Sequence, residues 1–136
     1  MFESIKKIFQ KEAKHFLIVD DNIQINEFLC EYLHKFGHKG SYLTDATQVL
    51  VWLKSNICDA VILDLNLGLD DRDGIQILEE VRKDFSSLPI VIFTGEGYDE
   101  TRLQAAIKAG ASGYVSKSVR PSDMYSALMR ALNLPS

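Results

Sequence analysis

The chain has 136 residues, 46% apolar and 25% charged, with a formal net charge of −4. This length fits one domain, and the composition is that of a globular protein rather than a disordered one. The acidic balance supplies no basic surface to follow a nucleic-acid backbone, and no apolar run reaches membrane-span length, so neither nucleic acid nor membrane is an expected partner.

Residues 1–14 precede the regular pattern and are expected to form an N-terminal extension. Phe2, Ile5, Ile8 and Phe9 fit one face of a short helix, with Lys6, Lys7 and Lys11 opposite. Such a helix is marginal alone. The stretch is also too short and too charged for a signal-peptide core, which makes the cytoplasm the expected compartment. The domain itself is expected over 15–134.

Phe16-Leu17-Ile18-Val19 is a continuous apolar run ending in Asp20-Asp21. Runs of this kind suit strands buried on both faces of a parallel sheet. Ile25, Phe28, Leu29, Tyr32, Leu33 and Phe36 then recur at helical spacing, and Gly37 marks the stop. Cys30 falls in this helix and Cys58 before a later strand. Far apart and without metal-ligand spacing, they read as small core thiols. A second strand is expected around Ser41-Tyr42-Leu43. Asp45 is placed to cap a helix that buries Ala46, Val49, Leu50 and Leu53. Ala60-Val61-Ile62-Leu63 is the third strand and ends in Asp64. A loop rich in Gly and Asp follows, with Asp73 capping a helix that carries Ile77, Leu78 and Val81.

Pro89 opens the fourth strand, Ile90-Val91-Ile92-Phe93, which ends in Thr94. A helix from about Glu100 to Ala109 is expected to bury Leu103, Ala106 and Ile107. Gly110 and Gly113 bracket a turn into Tyr114-Val115-Ser116, which ends at Lys117. Pro121 or Ser122 opens the last helix, with Met124, Tyr125, Leu128, Met129 and Leu132 facing inward. Five strand–helix units in strict alternation predict a parallel α/β sheet covered by helices on both faces.

The polar residues at the strand ends are the informative ones. Asp20, Asp21, Asp64, Thr94 and Lys117 follow or close predicted strands. Parallel strands bring those ends to one edge, where open α/β sheets place their ligands. Clustered carboxylates repel one another unless a cation joins them, and compact hard oxygens favour Mg²⁺. A carboxylate left free of tight metal binding is a nucleophile for a phosphoryl group. Thr94 is able to donate a hydrogen bond to a phosphoryl oxygen and Lys117 to pair with another. Gly95 leaves room beside the threonine for such a group.

Leu17-Ile18-Val19-Asp20-Asp21-Asn22, Val61-Ile62-Leu63-Asp64, Phe93-Thr94-Gly95 and Val115-Ser116-Lys117 together resemble the receiver domain of bacterial two-component response regulators, over residues from about 15 to 134. The resemblance implies a flavodoxin-like, doubly wound five-stranded sheet of order 2-1-3-4-5 with five surrounding helices. It implies phosphorylation of Asp64 by a sensor histidine kinase or a histidine phosphotransfer protein. Mg²⁺ would lie at Asp20, Asp21, Asp64 and the backbone carbonyl of Asn66. Thr94 matches the switch hydroxyl, Tyr114 the aromatic that changes rotamer, and Asn66 and Glu96 the positions that modulate phosphoryl lifetime. The face from the fourth helix through the fifth strand to the fifth helix is the implied switch and dimerisation surface. Such a receiver catalyses only its own phosphorylation and dephosphorylation.

Two features depart from the family pattern. Lys117 is followed by Ser118 where proline is usual, so a trans turn or a rare non-proline cis bond is required. Leu67-Gly68 replaces the usual Met-Pro, and the loop to Asp73-Gly74 is about two residues longer than typical. Neither removes a catalytic group. Two other classes share parts of this pattern. A haloacid-dehalogenase-type phosphatase needs a second aspartate where Asn66 stands. An FMN-binding flavodoxin-like protein needs a phosphate loop where Asp20-Asp21-Asn22 would repel phosphate.

Overall fold

In a computed structural model the described residues are 12–66, 74–95 and 100–134. They form β1 (His15–Val19), α1 (Ile23–Lys35), β2 (Lys39–Leu43), a short 3₁₀ turn (Ala46–Gln48) running into α2 (Val49–Ser55), β3 (Ala60–Leu63), α3 (Gly74–Asp84), β4 (Ile90–Thr94), α4 (Glu100–Ala109), β5 (Gly113–Ser116) and α5 (Pro121–Ala131). The sheet order is β2-β1-β3-β4-β5, and every pairing is parallel.

Burial explains which strands were plain in the sequence. β3 and β4 are buried at every residue, and β1 at all but its first. These three occupy the centre of the sheet and need apolar side chains on both faces. β2 and β5 are the edges and are only partly covered. β2 starts at Lys39, two residues before the expected Ser41, because an edge strand tolerates the polar Lys39-Gly40 pair.

Alternation along the strands splits the core into two layers. Leu17, Val19, Val61, Leu63, Ile90 and Ile92 face α2, α3 and α4. Phe16, Ile18, Ala60, Ile62, Val91 and Phe93 face α1 and α5. The helix expectations hold in part. Val49, Leu53, Met124, Tyr125, Leu128 and Met129 are buried, while Ala46 and Leu50 are half-buried. In α4 only Ala106 is fully buried; Leu103 is half-buried and Ile107 is exposed, since a single narrow stripe of this helix meets the sheet. Both cysteines are free and half-buried.

Caps set the helix limits. The Asn22 side chain accepts from the Ile25 N–H at the start of α1. At its end Gly37 takes φ +83°, so that the Gly37 and His38 N–H groups close on the His34 and Leu33 carbonyls. Asp45 caps the 3₁₀ turn rather than α2 itself. Asp73 and the 67–73 loop lie outside the described residues, as do residues 1–11.

The sheet's opposite rim is braced by one guanidinium. Arg82 donates to the carbonyls of Gly110 (2.9 Å), Phe85 (2.8 Å) and Leu88 (2.6 Å), and reaches the Ser112 hydroxyl at 3.4 Å.

Candidate functional site

The strand ends carry the candidate site, and the hydrogen-bond ladder fixes its backbone. The Asp20 N–H donates to the Leu43 carbonyl, the Asp64 N–H to Val19 and the Lys117 N–H to Thr94, at 3.2, 3.0 and 2.8 Å. Each of these residues therefore sits one step past the strand that precedes it. These backbone bonds extend the ladder to the residues whose side chains meet at the edge.

Asp20, Asp64 and Thr94 are nonetheless 2%, 4% and 1% exposed, so their polar atoms need partners. Lys117 supplies the main one. Its ammonium lies 2.6 Å from Asp20 Oδ2 and 3.1 Å from Asp64 Oδ2. Asp20 Oδ1 accepts from the Asn22 N–H at 2.9 Å, and Asp64 Oδ1 from the Asn66 N–H at 3.0 Å. Both carboxylates are thus held at both oxygens. Asp21 is exposed, and its carboxylate comes within 4.8 Å of the other two.

The electrostatics follow. Partial burial, then the neighbouring Asp20 and Asp64 charges, push the Asp21 carboxyl above its ordinary pKa. Burial lowers the Lys117 ammonium, but its hydrogen bonds to Asp20 and Asp64 outweigh that and leave it raised overall. Three carboxylates with one ammonium between them form a hard-oxygen donor set with surplus negative charge. This set fits Mg²⁺, which takes oxygen ligands and keeps several waters.

Three features of the site have no marker in the local sequence. The Asn66 side-chain amide donates to the Thr94 hydroxyl at 3.3 Å, linking the β3 and β4 ends across the sheet edge. Asn26, fully buried one turn into α1, donates to the Asp20 carbonyl at 2.8 Å and ties that helix to the loop. Gly74 opens α3 directly against the β3 end. A Cβ there would stand 2.5 Å from Leu65 Cα and 2.8 Å from the Asp64 carbonyl oxygen. Only the absence of a side chain lets this helix approach. At Gly95, in contrast, a Cβ would meet only Lys117 Cδ among the described residues, at 3.4 Å, an ordinary van der Waals distance.

The structure therefore brings together Asp20, Asp21, Asp64, Thr94, Lys117 and Asn66. Tyr114 is half-buried, pairs with Ile92 across the β4–β5 ladder and packs on the α2–α4 layer, the same layer as Thr94's side of the sheet. Glu96 lies outside the described residues. No peptide bond among the described residues is cis, so Lys117-Ser118 takes the trans alternative.

The family model for the response regulator receiver domain matches residues 16–129. The chain belongs to this family. It is a receiver domain of a two-component response regulator, and the phosphatase and flavodoxin alternatives give way to it. Among curated relatives, regulatory protein VirG of Agrobacterium tumefaciens is 36% identical over 104 residues, covering 76% of this chain and 38% of VirG. A putative NtrX-like response regulator of Rickettsia bellii is 35% identical over 115 residues, covering 85% of this chain and 24% of that protein. The chain thus spans well under half the length of these relatives. Among solved structures, the receiver domain of NtrX from Brucella abortus superposes with a TM-score of 0.79 at 29% identity, covering 88% of this chain and 99% of that one. A CheY-like receiver domain protein from Methanospirillum hungatei gives a TM-score of 0.81 at 24% identity, covering 90% and 95%, which supports the fold. Receiver domains generally interact with histidine kinases and bind Mg²⁺ at an acidic pocket. No helix among the described residues is long and apolar enough to cross a membrane.

Proposed function

We propose that Asp64 is the phosphoacceptor, taking a phosphoryl group from the phosphohistidine of a sensor histidine kinase or a histidine phosphotransfer protein. The observation that carries this reading is the Asp64 carboxylate itself: buried, oriented at both oxygens by the Asn66 N–H and Lys117, and set beside two further carboxylates. In the transfer an Asp64 oxygen attacks phosphorus, the bond to the donor nitrogen breaks, and that nitrogen keeps the electron pair. Lys117 moves its ammonium from the carboxylates toward a phosphoryl oxygen, and Thr94 turns its hydroxyl from Asn66 to another. Asp20, Asp21, Asp64 and the Asn66 carbonyl would hold the Mg²⁺. When bound, this ion neutralises charge on the phosphoryl oxygens.

In this reading the domain spans 15–134 with 1–14 as an extension, works in the cytoplasm, and catalyses only its own phosphorylation and dephosphorylation. It binds no nucleic acid or membrane directly. Thr94 and Tyr114 are the switch pair, and α4, β5 and α5 form the responding face, which also serves as a homodimer contact. Asn66 with Glu96 gives a short-lived phosphoryl state; a half-life of many hours in purified protein would refute that last point. The central test is binding of beryllofluoride, a phosphoryl mimic, in the presence of Mg²⁺. Wild type is expected to bind it and Asp64→Asn to lose binding. Equal binding by both, or none by wild type, overturns the assignment.

A further inference from the structure

The turn that carries Lys117 is built from an unusual pair of hydroxyls. The Val119 N–H donates to the Ser116 carbonyl at 3.2 Å, closing a four-residue turn with Lys117 and Ser118 at its centre. Neither central residue has positive φ, and no cis bond is present. Those two facts exclude the type II, primed and type VI turns, and with the closing hydrogen bond they fit the type I class best. Inside the turn, Ser116 Oγ accepts from the Ser118 N–H at 3.2 Å and lies 2.7 Å from Ser118 Oγ. Ser116 is thus a side-chain clamp on the peptide that follows Lys117, as serine and threonine hydroxyls provide in turns.

What the clamp controls is the reach of Lys117. Its N–H is pinned to Thr94 on one side, at 2.8 Å, and the Ser116-held turn fixes its backbone on the other. A first central turn residue has its side-chain direction set by the turn's dihedrals. From that fixed origin, the half-buried side chain places Nζ between Asp20 and Asp64. Proline at 118 would occupy the second central position, which a type I turn disfavours because it drives the preceding residue out of the α region. The serines are therefore matched to this turn.

We infer that Ser116, through its hydroxyl contacts with Ser118, is a positioning residue that sets the Lys117 ammonium between the two buried carboxylates. This rests on the phosphoacceptor reading for its functional meaning but not for its geometry. The first measurement accordingly uses the protein alone. The ammonium ¹H–¹⁵N signal of Lys117, assigned by its loss in Lys117→Met, is expected in wild type because a salt-bridged, half-buried ammonium exchanges slowly. It should be lost or strongly broadened in Ser116→Ala and restored in Ser116→Thr, which keeps the hydroxyl. The second measurement is Mg²⁺-dependent beryllofluoride affinity, expected to weaken roughly three- to ten-fold in Ser116→Ala, the loss of a net hydrogen bond or so, and to recover in Ser116→Thr. A Lys117 signal and affinity unchanged in Ser116→Ala overturn the inference. So does equal loss in Ser116→Ala and Ser116→Thr alongside an equal fall in melting temperature, which would mark a packing effect. Absence of beryllofluoride binding in wild type with the Lys117 signal still dependent on Ser116 would refute the phosphoacceptor reading and leave the positioning role standing.

Discussion

Lys117→Met is the sharpest test of how the carboxylates are held. Lys117 is the counter-ion that the described residues supply to Asp20 and Asp64, at 2.6 and 3.1 Å, and the side chains are 18%, 3% and 5% exposed. Removing one partner of a fully buried ion pair costs about 3–5 kcal/mol, and breaking an exposed pair costs about 0–1. A site at the sheet edge, with buried carboxylates but a partly wet ammonium, falls between these, at about 2–3 kcal/mol. For a domain of this size that lowers the melting temperature by roughly 10 °C, read by calorimetry at low salt without divalent ions. The same geometry makes a second demand. Lysine and Mg²⁺ compete for the same oxygens, so Mg²⁺ should bind more tightly to Lys117→Met than to wild type and should recover much of the lost stability. The raised Lys117 pKa adds a signature in pH. Its contribution is fully present below the ordinary lysine pKa and is lost as pH rises through the raised folded value, so wild type and variant should converge at strongly alkaline pH. A variant that melts within ~2 °C of wild type, or binds Mg²⁺ no better, would refute the counter-ion account.

Asp21→Asn should melt higher than wild type at pH 7 without divalent ions. The folded chain holds a proton on Asp21 more readily than the unfolded chain, so the stability linked to that proton is full at acid pH and is lost as pH rises through the raised folded pKa. The advantage of the asparagine should vanish on acidification, and its Mg²⁺-induced rise in melting temperature should be smaller than that of wild type. Gly74→Ala should lose at least ~2 kcal/mol in denaturant unfolding, because its Cβ meets backbone atoms of Asp64 and Leu65 that have no rotamer to yield. Unchanged stability would mean that α3 can slide away from the β3 end.

The central strands and the site were legible for one reason. A strand buried on both faces must be apolar throughout, so β1, β3 and β4 announce both themselves and the residue at which the apolar run ends. Asp20, Asp64 and Thr94 stand at those ends, and the chain-order set with Lys117 carried the family. The start of β2 was less legible because an edge strand needs no apolar run through Lys39-Gly40. Ile107 matched the helical period yet is exposed, since periodicity cannot report how wide a stripe the sheet covers. Asn26 looks like any polar helix residue until the fold buries it beneath the Asp20 carbonyl. The Ser116–Ser118 pair gave a signal, the missing proline, but only the turn's hydrogen bonds show what replaced it. The Asn66 side-chain bond to Thr94 is a contact across 28 residues, with no local pattern to mark it.

Arg82 has a consequence for how this domain tolerates change in chain length. One guanidinium gathers carbonyls from residue 85, from residue 88 and from Gly110, and the Ser112 hydroxyl that it reaches also accepts the Ile90 N–H at 3.0 Å. Two connections that are separate in the chain are thereby measured against a single rigid fork. Adding or deleting a residue in either would leave several of these acceptors out of reach at once. Surface connections normally absorb insertions; these two are tied to a single side chain, so the expected cost of a length change is higher at this rim, far from Asp64.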